Sequence, residues 1–236
     1  MSHHYIKFDN VSYCYPDGHR ALKNVSFLIS HGEKVAVVGA NGAGKSTLML
    51  HMNGLLTATE GEVVIGDIPI TKRTLPQIRR TVGLVFQNPD DQLFMPTVED
   101  DVAFGPVNMG LPEKEIARRV DMALEAVGAL DLKHRPCHLL SGGQKRGVAI
   151  ATVLSMVPDI LVMDEPSSNL DPHSRRLLID RIKEFSHTCV VTTHDIPLVR
   201  EVCPRTIVMA DGEIIADGDT AEIFSDTEVL LRSRLL

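Results

Sequence analysis

Gly39-Ala40-Asn41-Gly42-Ala43-Gly44-Lys45-Ser46 lies between a short apolar run, Val35 to Val38, and a helical pattern from Lys45 to Asn53 that stops at Gly54. An apolar run of that length fits a strand buried on both faces, and a glycine just past the periodic residues fits a helix C-terminus. Strand, glycine-rich turn and helix together satisfy G-x-x-x-x-G-K-[ST] in the context that motif requires. Glycines let the backbone curl until several N–H groups face one anion, and the helix N-terminus adds positive potential. Lys45 then reaches toward β- and γ-phosphates, Ser46 offers a Mg²⁺ ligand, and Thr47 adds a phosphate contact. Gly39, Asn41, Gly42, Ala43, Gly44, Lys45, Ser46 and Thr47 form the expected nucleotide cradle.

Downstream, Ile160-Leu161-Val162-Met163-Asp164-Glu165 is an apolar strand ending in two carboxylates, which places an acid beside a phosphate loop on a neighbouring strand. Asp164 is expected to support the Mg²⁺ ion and Glu165 to polarise the attacking water. Val11 to Ile29, broken by Pro16-Asp17-Gly18, reads as antiparallel strands. From about Asn88 to Val157 the pattern is helical: Pro112 opens a helix whose Ile116, Val120, Ala123, Leu124 and Val127 share a face and which Gly128 ends, and a second runs from Ser141 to just before Pro158. Asp171-Pro172 opens another helix, Cys189 to Thr193 is strand-like, Thr206 to Met209 and Glu213 to Ala216 flank an Asp211-Gly212 hairpin turn, and Thr220 to Leu236 reads as short helices. The alternation is that of a parallel α/β sheet with a helical segment inserted.

The chain has 236 residues, enough for one large domain. Its 24 Lys and Arg stand against 31 Asp and Glu, and no basic run tracks a phosphate backbone, so unaided nucleic-acid binding is disfavoured. Cys14, Cys137, Cys189 and Cys203 show no C-x-x-C spacing and suit a reducing cytosol. Neither a signal pattern nor a run near 20 apolar residues is present, so no bilayer crossing is expected. Pro136 keeps His134, Cys137 and His138 from helical ligand spacing, and no metal site is expected there. His3 and His4 read as a mobile terminus.

Leu140-Ser141-Gly142-Gly143-Gln144 taken alone is a helix start with Ser141 as N-cap. Between the phosphate loop and the paired acids it matches the signature of ABC ATPases, and the chain resembles that family from about Tyr5 to its end. The resemblance implies a P-loop NTPase core of the RecA-like kind with an N-terminal antiparallel β subdomain (together 1–87 and 158–236) and a helical subdomain at about 88–157. It also implies a head-to-tail dimer in which Ser141, Gly142, Gly143 and Gln144 of one subunit close over ATP held by the other. Further roles implied are adenine stacking for Tyr15, with Tyr13 as the competing choice, a Mg²⁺ and water contact for Gln87, a γ-phosphate contact for His194, and coupling of the two sites for Asp171 in Ser168-Asn169-Leu170-Asp171.

Phe86-Gln87-Asn88-Pro89-Asp90-Asp91-Gln92-Leu93-Phe94 and Thr97 to Pro106 narrow this further, being similar to the ATPases of energy-coupling factor importers. That implies ATP and Mg²⁺, a second ATPase subunit that is a copy or a paralogue, and a transmembrane coupling protein whose arginines meet Asp90 and Asp91. A substrate-binding membrane protein completes the set, with the chain peripheral at the cytoplasmic face of the membrane. Within the group, Glu165 to Pro172 resembles the cobalt or nickel ATPases, with a vitamin such as biotin as the next substrate. One departure is Gly147, where such ATPases commonly carry Arg. Soluble relatives acting on DNA or ribosomes usually have two cassettes or a coiled-coil insertion between Ser46 and Ser141, and a P-loop kinase has no need of Leu140 to Gln144.

Overall fold

The computed structural model describes residues 4–168 and 170–236; His3 and Asn169, singled out above, lie outside them. β1 (Ile6–Cys14) and β2 (Arg20–Ile29) pair antiparallel, as the alternation around Pro16-Asp17-Gly18 requires. β3 (Lys34–Val38) delivers the chain to the glycine turn and α1 (Lys45–Met52). Then come β4 (Glu60–Ile65), β5 (Ile68–Pro69), α2 (Leu75–Thr81) and β6 (Val82–Val85). Next are α3 (Val98–Asn108), α4 (Glu113–Ala126) and α5 (Gly142–Leu154), followed by β7 (Ile160–Asp164), α6 (Pro172–Glu184), β8 (Thr188–Thr192) and α7 (Ile196–Val202). The hairpin β9 (Arg205–Ala210) and β10 (Glu213–Asp219) precedes the short α8 (Thr220–Ile223) and α9 (Thr227–Arg232).

Among the described residues the strands make two sheets, one ordered β2-β1-β4-β5 and one ordered β10-β9-β3-β8-β7-β6. In the second, β9, β3, β8, β7 and β6 run parallel and only β10 is reversed. Alternate residues of β3 serve opposite faces, as a period of two demands: Val35 and Val37 join the core shared with the first sheet and α1, while Ala36 and Val38 join the core under α6, α7 and α8. Both cores exclude water, which explains why the run has no polar member.

The sheet order corrects one expectation. β7, which carries the paired acids, is not adjacent to β3; β8 lies between them and pairs with both. The end of β8 is thereby inserted into the site.

α3, α4 and α5 pack on one another around Val98, Val102, Val120, Leu124 and Val148. This helical layer is an enlarged crossover between the neighbouring parallel strands β6 and β7, and α5 closes it, burying Ile150 and Val153 in the core of the sheet. Pro112 is the N-cap of α4 rather than part of its first turn. Buried Asp101 accepts hydrogen bonds from the Phe94 and Met95 amides and from the Cys137 thiol, so Cys137 is a structural donor. His134 instead sits beside Glu99. His4 is also not free: its carbonyl accepts from Thr188, and its ring lies 3.6 Å from Asp159.

Candidate functional site

In an α/β sheet the carboxyl ends of the parallel strands are where ligands are held. Here those ends carry the glycine turn after β3, Gln87 after β6, Asp164 and Glu165 at β7, and Thr192 to His194 at β8.

The turn after β3 has no slack. Gly39 stands at φ 151°, and a Cβ there would meet the Met209 carbonyl oxygen at 2.2 Å; at Gly44, φ 102°, it would meet the Ala21 carbonyl oxygen at 2.6 Å. Only glycine fits either position. The Lys45 ammonium curls back to donate to the carbonyls of Gly39 (2.8 Å) and Ala40 (3.0 Å). Burial pushes its pKa below the usual lysine value, and the carboxylates of Glu165 and Asp164 oppose that shift without cancelling it. A desolvated cation resting on neutral carbonyls is poised for an anion.

Tyr15, Asn41, Gly42, Gly44, Lys45, Ser46, Thr47, Gln87, Asp164 and Glu165 line one open cavity of about 370 Å³. Gly39 and Ala43, expected in the cradle, are not in its lining, and Ala43 is buried. The two tyrosines pack differently. Tyr13 packs against the core and lies edge-on to buried His51, whereas Tyr15 lines the cavity and shares a 3.1 Å hydrogen bond with the Thr47 hydroxyl.

Asp164 accepts a hydrogen bond from the Thr192 hydroxyl. Glu165, 7% exposed, takes φ 47°, a left-handed conformation that costs a residue with a Cβ on the order of 1 kcal/mol. Its carboxylate lies 2.9 Å from His194 Nδ1 and accepts from the Thr193 hydroxyl at 3.1 Å. His194 therefore reaches the site through Glu165.

Ser141, Gly143, Gln144 and Asp171 do not share that cavity. They line a separate one of about 340 Å³ between α4, α5 and α6. Ser141 is indeed an N-cap: its hydroxyl accepts from the Gln144 amide, and the Gln144 side chain accepts from the Ser141 amide at 2.9 Å, a complete capping box. Asp171 caps α6, accepting from the His173 and Ser174 amides, and the Ser174 hydroxyl holds its carboxyl below the usual value.

Asp90 and Asp91 form a short 3-10 turn, both exposed. Asp90 is already paired with Lys145 of α5 at 2.6 Å. Gly147 has room around it: a Cβ would find Val127 no closer than 3.8 Å.

Sequence reasoning passes over four contributors. Thr192 and Thr193 read only as strand, because the order of strands is a long-range property. Arg146, 3% exposed, donates to the carbonyls of Phe86 and Gln87. Gln92 bridges the same segment to α5, donating to the Ala149 carbonyl and accepting from the Phe86 amide. An arginine following the signature motif gives no sign of burial.

A family model described as ABC transporter matches residues 22–168. A putative ABC transporter ATP-binding protein of Geobacter sulfurreducens is 58% identical, covering 100% of this chain and 94% of its own. The energy-coupling factor transporter ATP-binding protein EcfA of Methanocaldococcus jannaschii is 48% identical over 98% of this chain and 84% of its own. Among solved structures, cbiO1 of Clostridium perfringens, described as part of the ABC transporter complex cbiONQ, is 42% identical with TM-score 0.83, covering 99% of this chain and 95% of that one. The ATP-binding cassette MJ0796, solved as a dimer in a post-hydrolysis state with ADP and Pi, is 32% identical with TM-score 0.84, covering 91% and 98%.

Proposed function

The chain belongs to the ABC transporter family as an ATP-binding, ATP-hydrolysing subunit, and from that premise we propose that it powers an energy-coupling factor importer of cobalt or nickel ions. The observation that carries the importer class is the 48% identity with EcfA across nearly the whole chain, reinforced by the run Phe86 to Phe94. The metal substrate rests on the resemblance of Glu165 to Pro172 to the cobalt and nickel ATPases, and the similarity to cbiO1, part of the ABC transporter complex cbiONQ, supports a transporter subunit.

ATP enters the cavity with its adenine against Tyr15 and its phosphates on the amides of residues 41–47, where Lys45 exchanges neutral carbonyls for phosphate oxygens. Ser46, Gln87 and Asp164 all present oxygen donors to this one cavity, a hard-ligand set that fits Mg²⁺. When bound, Mg²⁺ supplies charge neutralisation on the β- and γ-phosphates. Glu165 polarises the attacking water, and its contacts with Thr193 and His194 fix its orientation. His194 in turn reaches toward the γ-phosphate.

One chain holds only half of this machinery, because the signature residues line a different cavity from Lys45. That separation supports a head-to-tail dimer in which Ser141, Gly142, Gly143 and Gln144 complete the opposite subunit's site and Asp171 links the two. Among the described residues no helix is long and apolar enough to cross a membrane. In this reading the ion passes through membrane partners, which Asp90 and Asp91 contact from the cytoplasmic face.

The test is purification of the tagged chain from solubilised membranes, followed by vesicle reconstitution. Two co-purifying membrane proteins and ATP-dependent accumulation of Co²⁺ or Ni²⁺ are expected. Accumulation of a vitamin instead moves the substrate, and the absence of any membrane partner overturns the importer reading.

A further inference from the structure

Arg146 is almost fully buried on α5, and its hydrogen-bond partners among the described residues are neutral carbonyls: Nη1 donates to the Phe86 oxygen at 2.8 Å and Nη2 to the Gln87 oxygen, while its Nε finds no partner among those residues. Burying a guanidinium in this way is costly unless its placement is needed. Burial pushes its pKa below the usual arginine value, and the charges of Asp164 and Glu165 oppose that shift.

The two carbonyls it grips belong to the two peptide planes that meet at the Gln87 Cα. Fixing both planes fixes φ and ψ of Gln87, and with them the direction of its Cα–Cβ bond. A planar fork with two parallel donors does this in a way a point-charge ammonium does not. Gln92, accepting from the Phe86 amide and donating to α5, holds the same segment from the other side.

We propose that Arg146 is a positioning residue of the hydrolysis site: it aims the Gln87 side chain into the nucleotide cavity and, because it rides on α5, ties that aim to the placement of the signature motif at the start of the same helix. The proposal rests on the role given to Gln87 above. A shift of α5 relative to the sheet then turns Gln87 as well, so the helix that closes one ATP site also adjusts the other site within its own subunit.

The test is steady-state ATP hydrolysis by the full chain, with binding-competent sites counted by titration with a fluorescent ATP analogue so that any misfolded fraction drops out. Arg146→Met is expected to lower kcat per site about tenfold or more while KM for ATP stays within about threefold, and Arg146→Lys to recover part of the loss. In a double-mutant cycle, Arg146→Met with Gln87→Ala is expected to be no slower than Gln87→Ala alone. Should Arg146→Met not accumulate as folded chain, Arg146→Lys takes its place in the cycle, since it keeps the charge and loses the fork. Wild-type kcat per site in the Arg146 variants overturns the proposal. If Gln87→Ala is impaired but the double variant loses the product of the two single effects, the clamp fails and the role of Gln87 stands. If Gln87→Ala hydrolyses at the wild-type rate, both fall together.

Discussion

The glycines of the phosphate loop and the first glycine of the signature motif look alike in sequence and differ in what demands them. At Gly39 and Gly44 the demand comes from within the chain, where a side chain would strike the Met209 and Ala21 carbonyls. At Gly142 a Cβ would meet nothing within 4 Å, and its φ is not positive. Neither packing nor backbone geometry of this chain asks for glycine there, at the start of a helix where it is a poor former. A glycine with no internal reason points to close approach by something outside the chain, which agrees with a signature motif facing a second subunit's ATP.

The sharpest way to break this contrast is at the self-contained end. Lys45→Ala removes the cation from a site built on electrostatics and is expected to lower turnover by about 10³-fold, with nucleotide binding lost in equilibrium titration. Near-normal ATPase activity would detach the phosphate loop from the chemistry. Glu165→Gln keeps the shape and loses the base, with an expected fall of about 10² to 10⁴. ATP should then stay bound and hold two chains together in size-exclusion chromatography with Mg²⁺. A monomer under those conditions would contradict the shared site.

The glycine pair tests the comparison itself. Gly39→Ala combines a backbone collision with a disallowed φ and should destabilise the isolated chain by about 3 to 5 kcal/mol. Gly142→Ala should leave its melting within about 0.5 kcal/mol of wild type while lowering ATPase activity at least about tenfold. Equal melting losses in the two variants would erase the distinction. An effect on assembly alone is expected at the coupling segment. Asp91→Lys spares the Lys145–Asp90 ion pair, and like charge against an arginine of a membrane partner costs about 2 kcal/mol of assembly. Co-purification with that partner should weaken while ATP binding does not change, and undiminished assembly would leave Asp91 as a solvated turn residue.

What could be read directly from the chain was local. Val35 to Ser46 and Ile160 to Glu165 announce themselves because strand, turn and helix signals are contiguous. The stretch Glu60–Ile65 did not, since its Glu60-Gly61-Glu62 start looks like a loop until β1 is seen pairing alongside it. α7 is seven residues long with a proline in its first turn, too short for periodicity to show. The insertion of β8 between β3 and β7, the preference of Tyr15 over Tyr13 for the cavity, and the burial of Arg146 depend on contacts between residues far apart in sequence. The paired cavities were legible only through the family resemblance, because spacing alone says nothing of which glycine a neighbour requires.

The anchoring of residues 86–92 to α5 by Arg146, Lys145 and Gln92 also has an evolutionary consequence. Residues 93–139 leave and rejoin the chain beside points already secured to the signature helix, and their α3 and α4 pack on Val148 and Ala151 of α5, so that portion can be exchanged without moving Gln87 or Ser141 only where the packing is kept. A chimera bearing another importer's residues 93–139 would therefore keep this chain's docking pair, Asp90 and Asp91, together with its engine, and a change of carrier has to reach into the anchored segment itself.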